Sequence, residues 1–269
     1  MRFEISFTIG TFQTAADAYQ LVKPHVKGPV KVIKSAFAFH EGKSLVQAGD
    51  ILKSLSSDKE DWFSLHAGEL SEITEYPDMN SVAYWRDETY ATEIIRVILL
   101  DDDFFNLEGF IFAASQRKFN FAMLFDSSKA CWQREQFVSN FELFGKSLEG
   151  RKLIAHPYWT DKVGLTVDIS SNPGRHIQTY NMLLMAAPDM WFGPGAWGYF
   201  EERDVMSFAG AINTLVVAPG TIYIKLFDRF AEDYEAPSIL EMQTKFRAHT
   251  KMDAIEEKLN GELSFPIVY

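Results

Sequence analysis

The sequence is almost without cysteine. A single thiol, Cys131, among 269 residues rules out an internal disulfide and a cysteine-rich metal site, and is compatible with a reducing compartment. A long apolar run is also missing: IIRVILL at 94–100 falls far short of the roughly 20 residues that cross a bilayer, and acids follow it at once. The amino-terminal MRFEISFTIG alternates acids and hydroxyls with apolar positions instead of forming an unbroken apolar core, so no export signal and no membrane partner are expected, and a cytoplasmic location is. Bases are outnumbered, 26 against 37 acids; the net charge of −11 sets up a field that repels phosphate backbones and disfavours direct nucleic-acid binding. Familiar catalytic spellings are missing as well. There is no GxSxG elbow and no HExxH, and the six histidines (His25, His40, His66, His156, His176 and His249) are scattered without metal-ligand spacing. Ser56-Ser-Asp-Lys59 has the SxxK spacing of acylating enzymes but lacks their companion motifs. No metal and no cofactor are expected.

What is present reads as an ordinary globular chain, 47% apolar and 23% charged. Phe3, Ile5, Phe7 and Ile9 alternate with Arg2, Glu4, Ser6 and Thr8, which predicts a half-buried strand. TAADAYQLVK predicts a helix capped at Thr14 and limited by Pro24. VKVIKSAFAF at 30–39 predicts a strand, and SLVQAGDILKSL at 44–55 a helix. Between 81 and 126, SVAYW, EIIRVILL, GFIFAA and FNFAMLF read as strands. In 132–148, Phe137, Phe141, Phe144 and Leu148 have the spacing of a core-packed helix stopped by Gly150. Then come a GLTVDIS strand, a hairpin in LVVAPGTIYIKLF turning at Pro-Gly, and two helices near SILEMQTKFRAH and DAIEEKL before an FPIVY tail. The sum is an α+β fold with a mixed or largely antiparallel sheet and flanking helices. One domain over 1–269 is expected, with Gly150 marking where two lobes would divide.

APDMWFGPGAWGYF at 187–200 is the nearest thing to a signature. Gly193-Pro-Gly-Ala-Trp-Gly198 spells GxGxxG, but Pro194 deletes an amide, Trp197 fills the approach, and no acid lies near 218 to meet a ribose. A tight turn flanked by packing rings is the stronger reading. Asp101-Asp102-Asp103 closes an apolar strand, where carboxylates can hold magnesium or manganese against a diphosphate. That would suit a metal-dependent glycosyl or nucleotidyl transferase using Asp101 and Asp103, although a solvated acidic loop looks the same. Finally, acids cluster at Glu69, Glu72, Glu75 and Asp78, at 101–103, at Glu201, Glu202 and Asp204, and at Glu232, Asp233 and Glu235, interspersed with Trp85, Trp191, Trp197 and Tyr234. Acids with rings suit a protein-binding face, in which rings anchor and carboxylates steer a basic partner.

The run Leu183-Leu184 through Ala187-Pro188-Asp189-Met190-Trp191-Phe192-Gly193, followed by an aromatic segment, Ser207-Phe208 and a paired-strand pattern, resembles the Immunity protein 52 family of bacterial polymorphic-toxin systems. The resemblance is clearest over 183–227. It implies a cytoplasmic, non-enzymatic inhibitor that neutralises a cognate toxin by direct contact. The implied partner is a nuclease of restriction-endonuclease-like fold, in some members delivered by type VI secretion. It carries over no functional residues, so the acid and ring clusters stand as the expected toxin-binding set.

Overall fold

The alternation in RFEISFT places this strand at the centre of the fold rather than on its surface. In the computed structural model, which describes residues 1–27, 32–35, 39–41, 55–56, 62–66, 80–101, 103–155 and 164–263, one ten-stranded sheet organises the chain. From edge to edge it runs β13 (Asn213–Ala218), β14 (Thr221–Lys225), β12 (Asp189–Phe192), β7 (Phe121–Phe125), β1 (Arg2–Thr8), β6 (Thr92–Ile98), β5 (Ser81–Asp87), β4 (Trp62–His66), β2 (Val32–Ser35) and β3 (Phe39–Glu41). Every neighbouring pair is antiparallel. Two small antiparallel pairs stand apart, β8 (Leu153–Ala155) with β9 (Leu165–Val167) and the hairpin of β10 (Ile177–Thr179) with β11 (Met182–Leu184). The α-helices that lie wholly among the described residues are α1 (Ala15–Val22), α2 (Leu107–Ser115), α3 (Ser127–Ala130), α4 (Val138–Leu143), α5 (Glu202–Met206), α6 (Pro237–Thr250) and α7 (Met252–Gly261). The fold is α+β.

Period-two alternation sends each strand's side chains to two different cores. Phe3, Ile5 and Phe7 of β1, with Ile95 and Val97 of β6, pack under α1 and α2. On the other face, Phe121, Met123 and Phe125 of β7 meet Met190 and Phe192 of β12, the β10–β11 hairpin, α6 and α7. Strands from both sides of residue 150 pair in this sheet, β7 with β12 directly. Gly150 itself sits in a turn at φ +77°.

β1 is therefore not half-buried as its pattern predicts. Glu4 and Ser6, on its polar face, are fully enclosed. Ser6 Oγ donates to Phe121 O and accepts from Leu183 N–H, both at 3.2 Å, so the hairpin lies over this face. Glu4 Oε1 accepts from Arg2 Nε at 2.9 Å and from Arg96 Nε at 2.6 Å. His176 Nε2 lies 3.0 Å from Oε2, outside good hydrogen-bond alignment.

Two other expectations are corrected. GFIFAA is helical, not a strand: Asn106 caps α2 by accepting from Gly109 N–H at 3.2 Å, and Phe110, Ile111 and Ala114 turn inward while Phe112 faces out. A short apolar run fits either period, and here the cap and the 3–4 spacing decide. The long helix expected over 132–148 is only the six-residue α4, ended by Gly145 at φ +63°. Phe141 alone of its aromatic series is buried; Phe137 and Phe144 are exposed, and Trp132 packs on Phe141 and Phe144 at 5.3 and 5.7 Å between ring centroids. The remaining expected strands, the Pro-Gly hairpin and the two late helices are present, and the 30–39 segment gives β2 and the start of β3. The 44–55 helix, save Leu55, and the FPIVY tail lie outside the described residues.

Burial pushes the Glu4 carboxyl upward, but the Arg2 and Arg96 guanidiniums that hold its Oε1 overcome it and keep it well below its ordinary 4.5. A depressed carboxylate stabilises the fold above the unfolded value, and that stabilisation is lost as pH falls through the folded one. Glu4→Gln leaves Arg2 and Arg96 facing no carboxylate and is expected to cost about 3 kcal/mol at neutral pH. Urea titrations from pH 7 to pH 3 should show the variant's deficit shrinking below pH 4.5; a constant deficit would mean Glu4 is not the charged partner.

Candidate functional site

The 187–200 segment is built around two close approaches. Leaving β12, the chain turns through Pro194–Gly198 as a single 3-10 stretch packed on the entry to β7. A Cβ on Gly193 would lie 2.2 Å from Phe119 O, and one on Gly195 would lie 2.1 Å from Asn120 Oδ1. These glycines are set by contact, not by ligand. Gly195 N–H donates to Phe119 O at 3.0 Å and Ala196 N–H to Gly193 O at 2.9 Å, so the amides a dinucleotide site would use are spent. The glycines themselves open no α-helix: Pro194–Gly198 is a 3-10 stretch and α5 begins only at Glu202, so the GxGxxG spelling has no nucleotide fingerprint behind it.

The two tryptophans flank the sheet from opposite faces. Trp191 points towards the α1–α2 layer, 5.9 Å from Phe3 and 5.1 Å from Tyr223 by ring centroids. Trp197 lies on the α6 side, stacked 6.1 Å from Phe192, and its indole N–H donates to Gly220 O at 2.8 Å, pinning the β13–β14 turn. Register continues the Trp191 row outward: Trp191 pairs with Tyr223, and Tyr223 pairs with Leu215 of β13.

β13 is an edge with no strand on its outer side among the described residues. Its sequence, NTLVVA, carries no charge, and Leu215, Val216 and Val217 are 47%, 63% and 41% exposed. Ile212 before it, Met206 on α5 and Phe112 on α2, which packs against β13, are exposed too. Soluble proteins usually blunt such an edge with charge, proline or cover. Exposed Glu201 and Glu202 stand where the chain enters α5 on its way to β13. Sequence reasoning registered this strand only as half of a hairpin, because edge position is a property of the sheet.

The other expected contacts do not gather here. Arg2 pairs with both Ile98 and Phe125, so the ends of β6 and β7 lie at the end of the sheet where β1 begins. Asp101 and Asp103 follow β6 at that end, as does Tyr234, whose hydroxyl accepts from Asp126 N–H at 3.1 Å. Trp197 and Glu201 belong to the opposite end, beyond the Phe192–Phe121 pair. Tyr234 is fully buried and donates to Arg229 O at 2.7 Å, which corrects its reading as a contact ring. Glu235 is tied to Arg151, Asp233 accepts from Glu235 N–H at 2.9 Å, and Glu232 is exposed. Trp85 is half-buried with the Arg96 guanidinium 4.6 Å from its ring centroid, again a packing role. Asp101 accepts from Asp103 N–H at 2.9 Å and closes the turn after β6. No group of three potential metal ligands occurs among the described residues. Glu69, Glu72, Glu75, Asp78 and Asp102 lie outside them.

A buried charge cluster beneath the sheet's central strand escaped sequence reading. Arg2, Arg96 and Arg134 surround Glu4 and His176, and Arg134 Nη1 donates to His176 Nδ1 at 3.2 Å. Because arginine only donates, Nδ1 accepts and the ring is neutral; burial first, then the nearby Arg134 and Arg2, hold His176 below its ordinary value. Residues at 2, 4, 96, 134 and 176 share no spacing that could have announced them. Comparison with family models, curated proteins and solved structures finds no match to this chain.

The two kinds of glycine in the turn predict opposite outcomes. Gly193→Ala drives a Cβ into backbone at 2.2 Å and is expected to cost on the order of 3 kcal/mol, whereas Gly198→Ala meets nothing within 4 Å and should stay within about 0.5 kcal/mol of the parent. Thermal melts of the pair decide it; equal losses would refute the packing account.

Proposed function

We propose that the protein is an immunity protein: it binds and neutralises a cognate antibacterial toxin by direct contact, using the open edge β13 and the row Leu215–Tyr223–Trp191 beside it. The observation that carries this reading is the exposed, uncharged edge in a chain of net charge −11. Such an edge can accept a strand from a partner, with backbone hydrogen bonds supplying affinity and apolar neighbours supplying contact area. Glu201 and Glu202 bias the encounter towards a basic surface. A nuclease that grips DNA presents that surface. That the target is a DNase of restriction-endonuclease-like fold, that delivery runs through type VI secretion, and that inhibition takes place in the cytoplasm rest on the resemblance over 183–227.

The test is co-expression with the candidate toxin. The parent chain should rescue growth and copurify with the toxin, and Val216→Lys, which places a charge on the open edge, should weaken binding at least thirtyfold or so while melting at the parent temperature. No rescue by the parent, or full rescue and unchanged affinity in Val216→Lys, overturns the proposal. So does sedimentation showing a parent dimer that Val216→Lys dissociates, because the edge would then serve a second copy.

A further inference from the structure

Thr8, Thr11, Arg117, Lys118, Asn120 and Tyr199 line a pocket of about 600 Å³, broadly open to solvent, at the end of the sheet where β1 finishes, with Gln116, Gly195 and Gly198 completing its wall. In a chain with 37 acids against 26 bases, none of these residues is acidic, and two adjacent ones are cations. Arg117 and Lys118 follow α2, where positive charge complements the helix dipole. That explains their sign but not the polar wall opposite them. Neither cation is paired with a carboxylate among the described residues.

The wall is fixed internally. Asn120 Nδ2 donates to Thr8 Oγ1 at 3.1 Å and to Asn181 O at 2.6 Å, which spends both amide hydrogens and sets the orientation of the group. Asn120 is 1% exposed, and its Oδ1 accepts from no donor among the described residues. Tyr199 Oη accepts from Asn181 Nδ2 at 3.3 Å, so its own hydrogen is free to donate. The pocket thus offers two cations and a hydroxyl donor, together with one pre-oriented acceptor. Gly198 leaves it open, since a Cβ there would meet nothing within 4 Å.

We propose that this pocket binds a small phosphorylated metabolite of sugar-phosphate or nucleoside-monophosphate size. The phosphate sits against Arg117, Lys118 and the Tyr199 hydroxyl, and a hydroxyl or N–H at the other end of the ligand donates to Asn120 Oδ1. Two adjacent cations match a dianion better than a single carboxylate, and the volume suits a ligand of this size. The phosphate is held by side chains, because the nearby amides of Gly195 and Ala196 are already spent. The inference stands apart from the partner reading, since β13 plays no part in it.

Calorimetry on the full chain with ribose 5-phosphate, adenosine monophosphate, adenosine and inorganic phosphate tests it. At least one of the two organic phosphates should bind, with adenosine and inorganic phosphate each at least about tenfold weaker. Arg117→Gln with Lys118→Gln, both on the surface, should weaken binding on the order of a hundredfold, and Gly198→Gln should abolish it by filling the space. Retention of the parent melting temperature shows that each variant is folded, and the double variant stands alone if Gly198→Gln is not. No binding by either organic phosphate, equal affinity for inorganic phosphate, or binding that survives the double variant overturns the proposal.

Discussion

The fold depends on a carboxylate held in the middle of its sheet. Glu4 sits on the central strand with both sheet faces covered, and enclosing it is tolerable only because Arg2 and Arg96 reach its oxygen from the same strand and the next. That requirement fixes the β1–β6 register, since Glu4 pairs with Arg96. It also draws the second layer inward. Arg134 approaches through His176, bringing the 131–137 loop over the β1 face, while Ser6 holds the β10–β11 hairpin through Leu183. A second enclosed carboxylate does related work on the opposite face: Glu93 accepts from Tyr84, Arg86 and the Phe12 amide, tying the loop before α1 to β5 and β6. Polar groups therefore specify which strands are neighbours, and the apolar residues around them supply the burial energy.

The carboxy-terminal layer repeats this device at a corner. Arg247 on α6 is 2% exposed and meets Glu256 and Asp253 of α7, while Arg175, arriving from the segment before β10, meets the same two acids. Lys251 between the helices takes φ +57°, the left-handed conformation that lets α6 turn directly into α7. The ionic corner holds that turn and links it to the hairpin covering β1. Buried pairs of this kind are costly to break and add little net stability when intact, so their contribution is geometric.

Much of this was legible in local pattern. Period-two alternation found β1, β5, β6 and β7, Pro219-Gly220 found the β13–β14 hairpin, and helical spacing found α1, α6 and α7. Failures came where a neighbour decides. Residues 109–114 are equally apolar under either period, and Asn106 chooses the helix. The ring series from Phe137 to Phe144 has helical spacing, but Gly145 ends the turn before a second face can pack. The polar face of β1 looked solvated because nothing in RFEISFT names Arg96 or Leu183 as its cover. For the candidate site the limit was harder. Trp191 lies on β12, two strands in from the open edge, Trp197 braces the β13–β14 turn, Tyr234 is fully buried, and only the register shows that Asp101 and Asp103 belong to the other end of the sheet.

The described edge formed by β13 has an unusual composition for an open strand. β13 has neither charge nor proline along its length, in a protein that is 23% charged overall. Its one irregularity is a shift between Val216 and Ala218, which disturbs the inner ladder to β14 near the turn and leaves Asn213–Val216 in continuous register. Trp197 then secures that turn from the far side through Gly220. An exposed, uncharged edge braced from behind has the properties that the proposed docking strand requires, because an open ladder without charge or proline leaves its backbone groups free to pair.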